Sequence, residues 1–242
     1  MFKLFTNFLF LVLFIFYSAL FALEKPSIKI GSSVALSGSL EDPGRSFIEG
    51  SKLYFDYING KDGVHNHLIN LVIKDDAYNP SLTLENTVDF LQDSETLSLF
   101  GYFGTPTVAE IIPLLHDFNS EKTKLFFPLT GASILRTDSL NNIIFHLRSS
   151  YGQEVSKIVN HYYKQGITRI SIFYQLDAFG KDSWSSLNDE LKSKNSSIYS
   201  EATYLRGMSD KDSYQEIVNY FLQDEPELIL CICTDSVLSG FI

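Results

Sequence analysis

Hydrophobic and polar positions change their spacing repeatedly along the chain. Short runs rich in β-branched and aromatic residues predict strands at Ile28–Ala35, Leu68–Lys74, Leu97–Phe103, Lys124–Pro128, Ile143–Leu147, Arg169–Tyr174, Ile198–Tyr204 and Leu228–Cys233. Between them apolar residues recur at helical intervals, as in Leu84, Val88 and Leu91; in Val108, Ile111, Ile112 and Leu115; and in Val155, Ile158, Val159 and Tyr162. Strict β/α alternation implies an α/β fold, with parallel sheets covered by helices on both faces. The rhythm breaks where two strand-like runs are separated only by the turn-rich stretch Thr137–Asn142. That break predicts a crossing between two lobes, 23–140 and 141–242, the second of them incomplete.

Composition narrows the classes. The 242 residues are 45% hydrophobic with 14 Gly and 7 Pro, which excludes a disordered or collagen-like chain. Nineteen Lys and Arg against 29 Asp and Glu give a net charge of −10, so no broad basic surface is available for nucleic acid. The two cysteines, Cys231 and Cys233, build neither a disulfide framework nor a four-ligand zinc site, and the fold must be held by its core. At the start, Lys3 is followed by twenty uncharged residues, Leu4 to Leu23, ending in the small residues Ala19 and Ala22. This reads as a secretory signal peptide over residues 1–22, with an uncleaved membrane anchor as the alternative, and places the remainder in the periplasm.

In open parallel sheets, ligands gather beyond the carboxyl ends of the strands. Ser37 follows the first strand there. After the third strand, Gly104-Thr105-Pro106-Thr107 predicts an N-cap at Thr105, Pro106 at the first helical position, and the Thr105 and Thr107 hydroxyls pointing outward with free amides, a nest for a carboxylate. A well-capped helix with no ligand is the plainer alternative. Thr130, Gly131 and Ala132 end the fourth strand in the same way. From the second half, Asp177 and Phe179 stand at the facing edge, and Tyr151 and Glu154 at a helix start are candidates to join them; a helix cap, a core ring and a solvated acid are the structural alternatives. Asp75-Asp76 reads as loop fixation rather than a Mg²⁺ site. Catalytic constellations are scarce: H-E-x-x-H, G-x-S-x-G, a P-loop and G-x-G-x-x-G do not occur, and neither an enzyme, a cofactor nor a metal is expected.

These pieces, taken in order, resemble the type I periplasmic binding proteins of branched-chain amino acid ABC transporters. The likeness rests on Ile28-Lys29-Ile30-Gly31, Leu36-Ser37-Gly38, Tyr57-Ile58-Asn59-Gly60, Asp75-Asp76-Ala77-Tyr78-Asn79-Pro80, Gly101 to Thr107, Thr130-Gly131-Ala132, Arg148-Ser149-Ser150-Tyr151 and Tyr174 to Gly180. It implies a two-lobed binding protein that captures a small amino acid or a related carboxylate or amide and delivers it to a membrane permease. It further implies that Thr105, with its own amide, holds the ligand carboxylate and that Thr130 to Ala132 meet the head group. Pro43 stands where the family often places an aromatic at the cleft lip, and Phe179 where a Tyr is common. Family members continue past the strand ending at Cys233, so a chain stopping at Ile242 is expected to be truncated, with unpaired sheet edges and exposed apolar surface. A ligand-sensing module of a signalling receptor and a non-functional fragment are the other readings.

Overall fold

The computed structural model describes residues 25–117 and 123–242; the expected signal peptide or anchor at 1–22 lies outside the described residues. Eight strands alternate with helices: β1 (Ser27–Val34), α1 (Glu41–Asn59), β2 (Leu68–Asp75), α2 (Pro80–Gln92), β3 (Thr96–Phe100), α3 (Thr105–Glu110), α4 (Ile112–Asp117), β4 (Leu125–Phe126), β5 (Ile144–Phe145), α5 (Tyr151–Tyr163), β6 (Ile170–Gln175), α6 (Ala178–Ser193), β7 (Glu201–Tyr204), α7 (Gln215–Asp224), β8 (Leu228–Ile232) and α8 (Asp235–Phe241). All strand pairings within the two sheets are parallel, in a five-stranded sheet ordered β2-β1-β3-β4-β5 and a three-stranded sheet ordered β7-β6-β8. β5 pairs with β4, Leu125 opposite Ile144. The chain therefore leaves the first sheet after Phe145, later than the expected boundary at 140/141.

Local chemistry accounts for the element ends. Asn79 caps α2 by accepting from the Ser81 amide, with Pro80 in the first turn. Ser150 and Gln153 close a reciprocal capping box at the start of α5. The helical spacing from Val108 to Leu115 is split into α3 and α4 at Ile111, just before Pro113, whose missing N–H and ring disfavour an unbroken helix. α1 begins at Glu41, preceded by a single 3₁₀ turn at Gly38–Leu40.

Each sheet is covered on both faces. Leu99, Leu125 and Ile144 pack with Val108, Ile111 and Leu115 on one side of the first sheet, while Val34, Leu40, Ile48 and Phe103 form a second cluster. In the second sheet Ile170 and Ile172 face Val155, Val159, Leu187 and Leu191, and Phe173 turns the other way toward Tyr204, Tyr214 and Phe221. Burying each such side chain contributes roughly 1.5–3 kcal/mol, so these layers hold the fold without disulfides. Trp184 of α6 packs against the second of these cores and donates its indole N–H to Glu201 of β7. Along the β4–β5 edge, Phe126 and Phe145 stack with centroids 5.0 Å apart, and Leu147 beyond them is 82% exposed.

Candidate functional site

Beyond the end of β3 the backbone turns left-handed at Gly104, φ 97°, and this glycine caps α3. Thr105 and Pro106 consequently take the first two helical positions, one step later than the sequence suggested. A side chain at Gly104 would stand 2.3 Å from the Tyr78 ring, so both the conformation and the close approach require glycine. Thr105 is 1% exposed, with its hydroxyl 2.7 Å from that of Thr130 and 3.0 Å from the Tyr151 phenol. Thr130, fully buried, also lies 3.3 Å from Tyr151 and accepts from the Ala132 amide at 3.2 Å. Hydroxyls at the tips of neighbouring strands are thus brought together, but largely for one another. Thr107 differs from expectation: its hydroxyl donates back to the Phe103 and Gly104 carbonyls, the usual outlet for a threonine in a first turn, and does not point outward with Thr105. Pro106 is buried beside it.

Tyr151 opens α5, whose later residues Val155 and Val159 belong to the second core, yet its own ring belongs to the first. Gly131 permits this. Its carbonyl accepts from the Tyr151 amide at 2.9 Å, and a side chain there would stand 2.7 Å from the Tyr151 ring. The ring meets Phe179 with centroids 5.4 Å apart, and the Arg148 guanidinium lies 5.1 Å from its face. Arg148 donates to Glu154 through Nε at 3.2 Å and Nη2 at 3.0 Å, and Ser149 donates to the same carboxylate at 2.9 Å. Burial works against the Arg148 charge, but the Glu154 hydrogen bonds together with the electrostatics of Tyr151 and Glu154 outweigh it and hold the guanidinium protonated.

These groups surround a cavity of 130 Å³. Leu40, Phe103, Leu129, Tyr78 and Phe179 give it apolar walls; Thr105, Tyr151 and Arg148 bring polar groups; and Cys233 and Thr234 close it from the end of β8. The Thr234 amide donates to the Tyr204 phenol at 3.0 Å, and its hydroxyl, buried beside that phenol, makes no hydrogen bond of good geometry. Arg148 is the single cationic side chain lining this cavity among the described residues. A second cavity of 240 Å³ shares Arg148, Tyr151, Phe179 and Cys233 with the first and extends to Glu154. Tyr78 ties the halves together, because Gln175 of β6 donates to its hydroxyl at 3.2 Å. Burial pushes that phenol well above its ordinary range, so it remains a neutral donor or acceptor.

Other sequence candidates serve the frame. Ser37 donates to Asp75 at 2.6 Å, and Asp75 also accepts from the Leu36 and Ala77 amides. Asp76 is buried and accepts from the Ser33 hydroxyl and the Tyr78 amide. These contacts hold the loops, as the sequence suggested. Asp177 caps α6 through the Phe179 amide and accepts from Gln175 at 2.6 Å. Pro43 sits half-buried in the first turn of α1, away from both cavities. Both candidate acids, Glu154 and Asp177, are therefore already engaged. Sequence reasoning missed Arg148, Tyr78 and Thr234 as lining residues. All three lie just past strand ends, so the rule that selected Thr105 and Thr130 was the signal available for them. Among the described residues no cluster of three or more His, Cys, Asp or Glu could hold a metal, and no helix is long and apolar enough to cross a membrane.

Comparison with known proteins agrees with this architecture. The family model for periplasmic binding proteins matches residues 27–239. A substrate-binding periplasmic protein from Ralstonia solanacearum is 29% identical, with a TM-score of 0.81 over 89% of this chain and 59% of that one. A possible leucine/isoleucine/valine-binding protein from Rhodopirellula baltica SH 1 is 26% identical, with a TM-score of 0.80 over 90% and 59%. A solute-binding protein of an ABC transporter from R. palustris, in complex with benzoate, is 16% identical with a TM-score of 0.76 over 88% and 56%, a likeness of fold alone. The chain spans about three fifths of the length of these solved structures. No curated protein matches it.

Proposed function

Because this chain belongs to the periplasmic binding protein family, we propose that it captures a small carboxylate-bearing solute, an amino acid or an analogue, for an ABC transporter. The family implies an extracytoplasmic location and a membrane permease as the receiving partner. The observation that carries the reading is a cavity between elements of both sheets in which Arg148 and the Thr105, Tyr151 and Thr234 hydroxyls accompany apolar walls. A cation and several hydroxyls suit a carboxylate, and the aromatic and aliphatic walls suit an apolar body. Its 130 Å³ corresponds to space for about ten non-hydrogen atoms. The relatives' names, one for leucine, isoleucine or valine and one with benzoate, are of this size and chemistry. Binding makes and breaks no covalent bond; affinity comes from preorganised donors and from excluding water.

The site residues in this reading are Arg148, Thr105 and Tyr151 for the carboxylate, with Thr130, Gly131 and Ala132 holding Tyr151 and Thr105 in place. Phe179 and Tyr78 form the wall, and Thr234 supplies a hydroxyl from the second half. Calorimetry of the full chain against valine, leucine, benzoate, benzamide and urea tests this. Saturable binding of at least one carboxylate is expected, weakened roughly 10- to 100-fold by Arg148→Gln. A folded chain that binds none of the panel, or binds benzamide as tightly as benzoate, contradicts it.

A further inference from the structure

Cys231 and Cys233 play no part in the solute reading, yet their placement is specific. Cys231 lies in β8 and Cys233 is the residue directly past its end, an i, i+2 spacing that in extended chain puts both on one face. Both are free and part-exposed, and both line the 240 Å³ cavity; Cys233 also reaches the smaller one. β8 is an edge strand of its sheet, paired only with β6 on one side. Each thiol has only a long contact to a backbone carbonyl, 3.9 Å to Ile229 and 3.8 Å to Phe173.

Two outcomes are chemically open to such a pair, a disulfide or a shared ion. Residues i and i+2 of an extended strand have Cα atoms roughly 6.6–6.8 Å apart, at the far limit of disulfide geometry, so oxidation would strain β8. A bridging ion spans the same gap without that strain, because two metal–sulfur bonds are longer than one S–S bond. The ligand count selects the ion. No third His, Cys, Asp or Glu joins the pair among the described residues, which leaves a tetrahedral zinc site unbuilt and leaves two soft sulfurs for a cation content with two ligands.

We propose that Cys231 and Cys233 form a two-thiolate site for a soft monovalent cation of the copper(I) class, at the end of the edge strand beside the solute cavity. Binding displaces the protons of both thiols to solvent, and no electron is transferred, because the ion arrives already monovalent.

The test is anaerobic titration of the reduced full chain with Cu(I) against a chromophoric Cu(I) chelator, with X-ray absorption to identify the ligands. One ion per chain with two sulfur ligands is expected, and Cys231→Ser and Cys233→Ser should each weaken retention by roughly 100-fold or more. Circular dichroism establishes that the variants remain folded. As a check needing no variant, Ag(I) should protect both thiols of the unaltered chain from alkylation, while Zn(II) should not. Retention that survives the double substitution, equal protection by Zn(II), or loss of both thiols to an internal disulfide on simple air exposure would each overturn the proposal.

Discussion

On the first-sheet wall of the cavity the hydroxyls of Thr105, Thr130 and Tyr151 lie within 3.3 Å of one another, whereas across the cavity Thr234 buries a hydroxyl that makes no hydrogen bond of good geometry. The first wall is complete without a ligand. Its donors are oriented by glycine-permitted close packing at Gly104 and Gly131, so the proposed solute would meet groups already in place. The second wall is not complete. A buried hydroxyl left unpaired costs about 1–3 kcal/mol, and a solute with a hydrogen-bonding group would relieve that cost on arrival. In the proposed reading the contrast separates rigidity from affinity, with one wall holding its shape and the other leaving a hydrogen bond that a ligand would complete.

Substitutions test that contrast, beginning with the most damaging. Gly104→Ala places a side chain in a left-handed conformation and against the Tyr78 ring; a stability loss of about 3 kcal/mol in urea unfolding is expected. Thr105→Val keeps the shape but strips a hydroxyl from the cluster, and should cost about 1–2 kcal/mol by the same measurement. A smaller effect follows pH. His146 places Nε2 3.0 Å from the Leu135 carbonyl, and burial holds its pKa below the ordinary value. Above that ordinary value both folded and unfolded chains are neutral at this position. As pH falls through it the unfolded chain takes the proton first, so stability should decline from about pH 6.5 downward. His146→Gln should flatten that part of the profile.

The opposite sign belongs to the other wall: Thr234→Val removes the unpaired buried hydroxyl and should make the free protein about 1 kcal/mol more stable while weakening solute binding. Equal losses for Thr105→Val and Thr234→Val would erase the distinction between the walls.

The fold was far more legible than the site. Each of the eight strands lies at its expected place, because a central parallel strand such as Ile170–Gln175, buried along its whole length, needs a continuous apolar run that solvent-exposed segments lack. The sheet switch was placed too early because the Thr137–Asn142 turn looks like a boundary, while only the pairing of Leu125 with Ile144 shows which sheet claims the next strand. At the strand ends, a local signal anticipated that the Thr105 and Thr130 hydroxyls would come together but misjudged the direction of Thr107, since a hydroxyl in a first helical turn can serve its own backbone. Arg148 escaped notice because its role depends on Tyr151 and Phe179, and the meeting of those rings is a product of packing between two cores. Glu154 was legible as a first-turn acid, but its partner was not.

Trp184 is the sole tryptophan of the sequence, and it sits on α6 against the three-stranded sheet. Indole emission therefore watches that half of the molecule alone, whereas far-ultraviolet dichroism averages over every helix in both. Melting curves recorded with the two probes will coincide if the halves unfold as one unit and will separate if they do not, so the protein carries its own gauge of how firmly Tyr78, Tyr151 and Gln175 couple its parts.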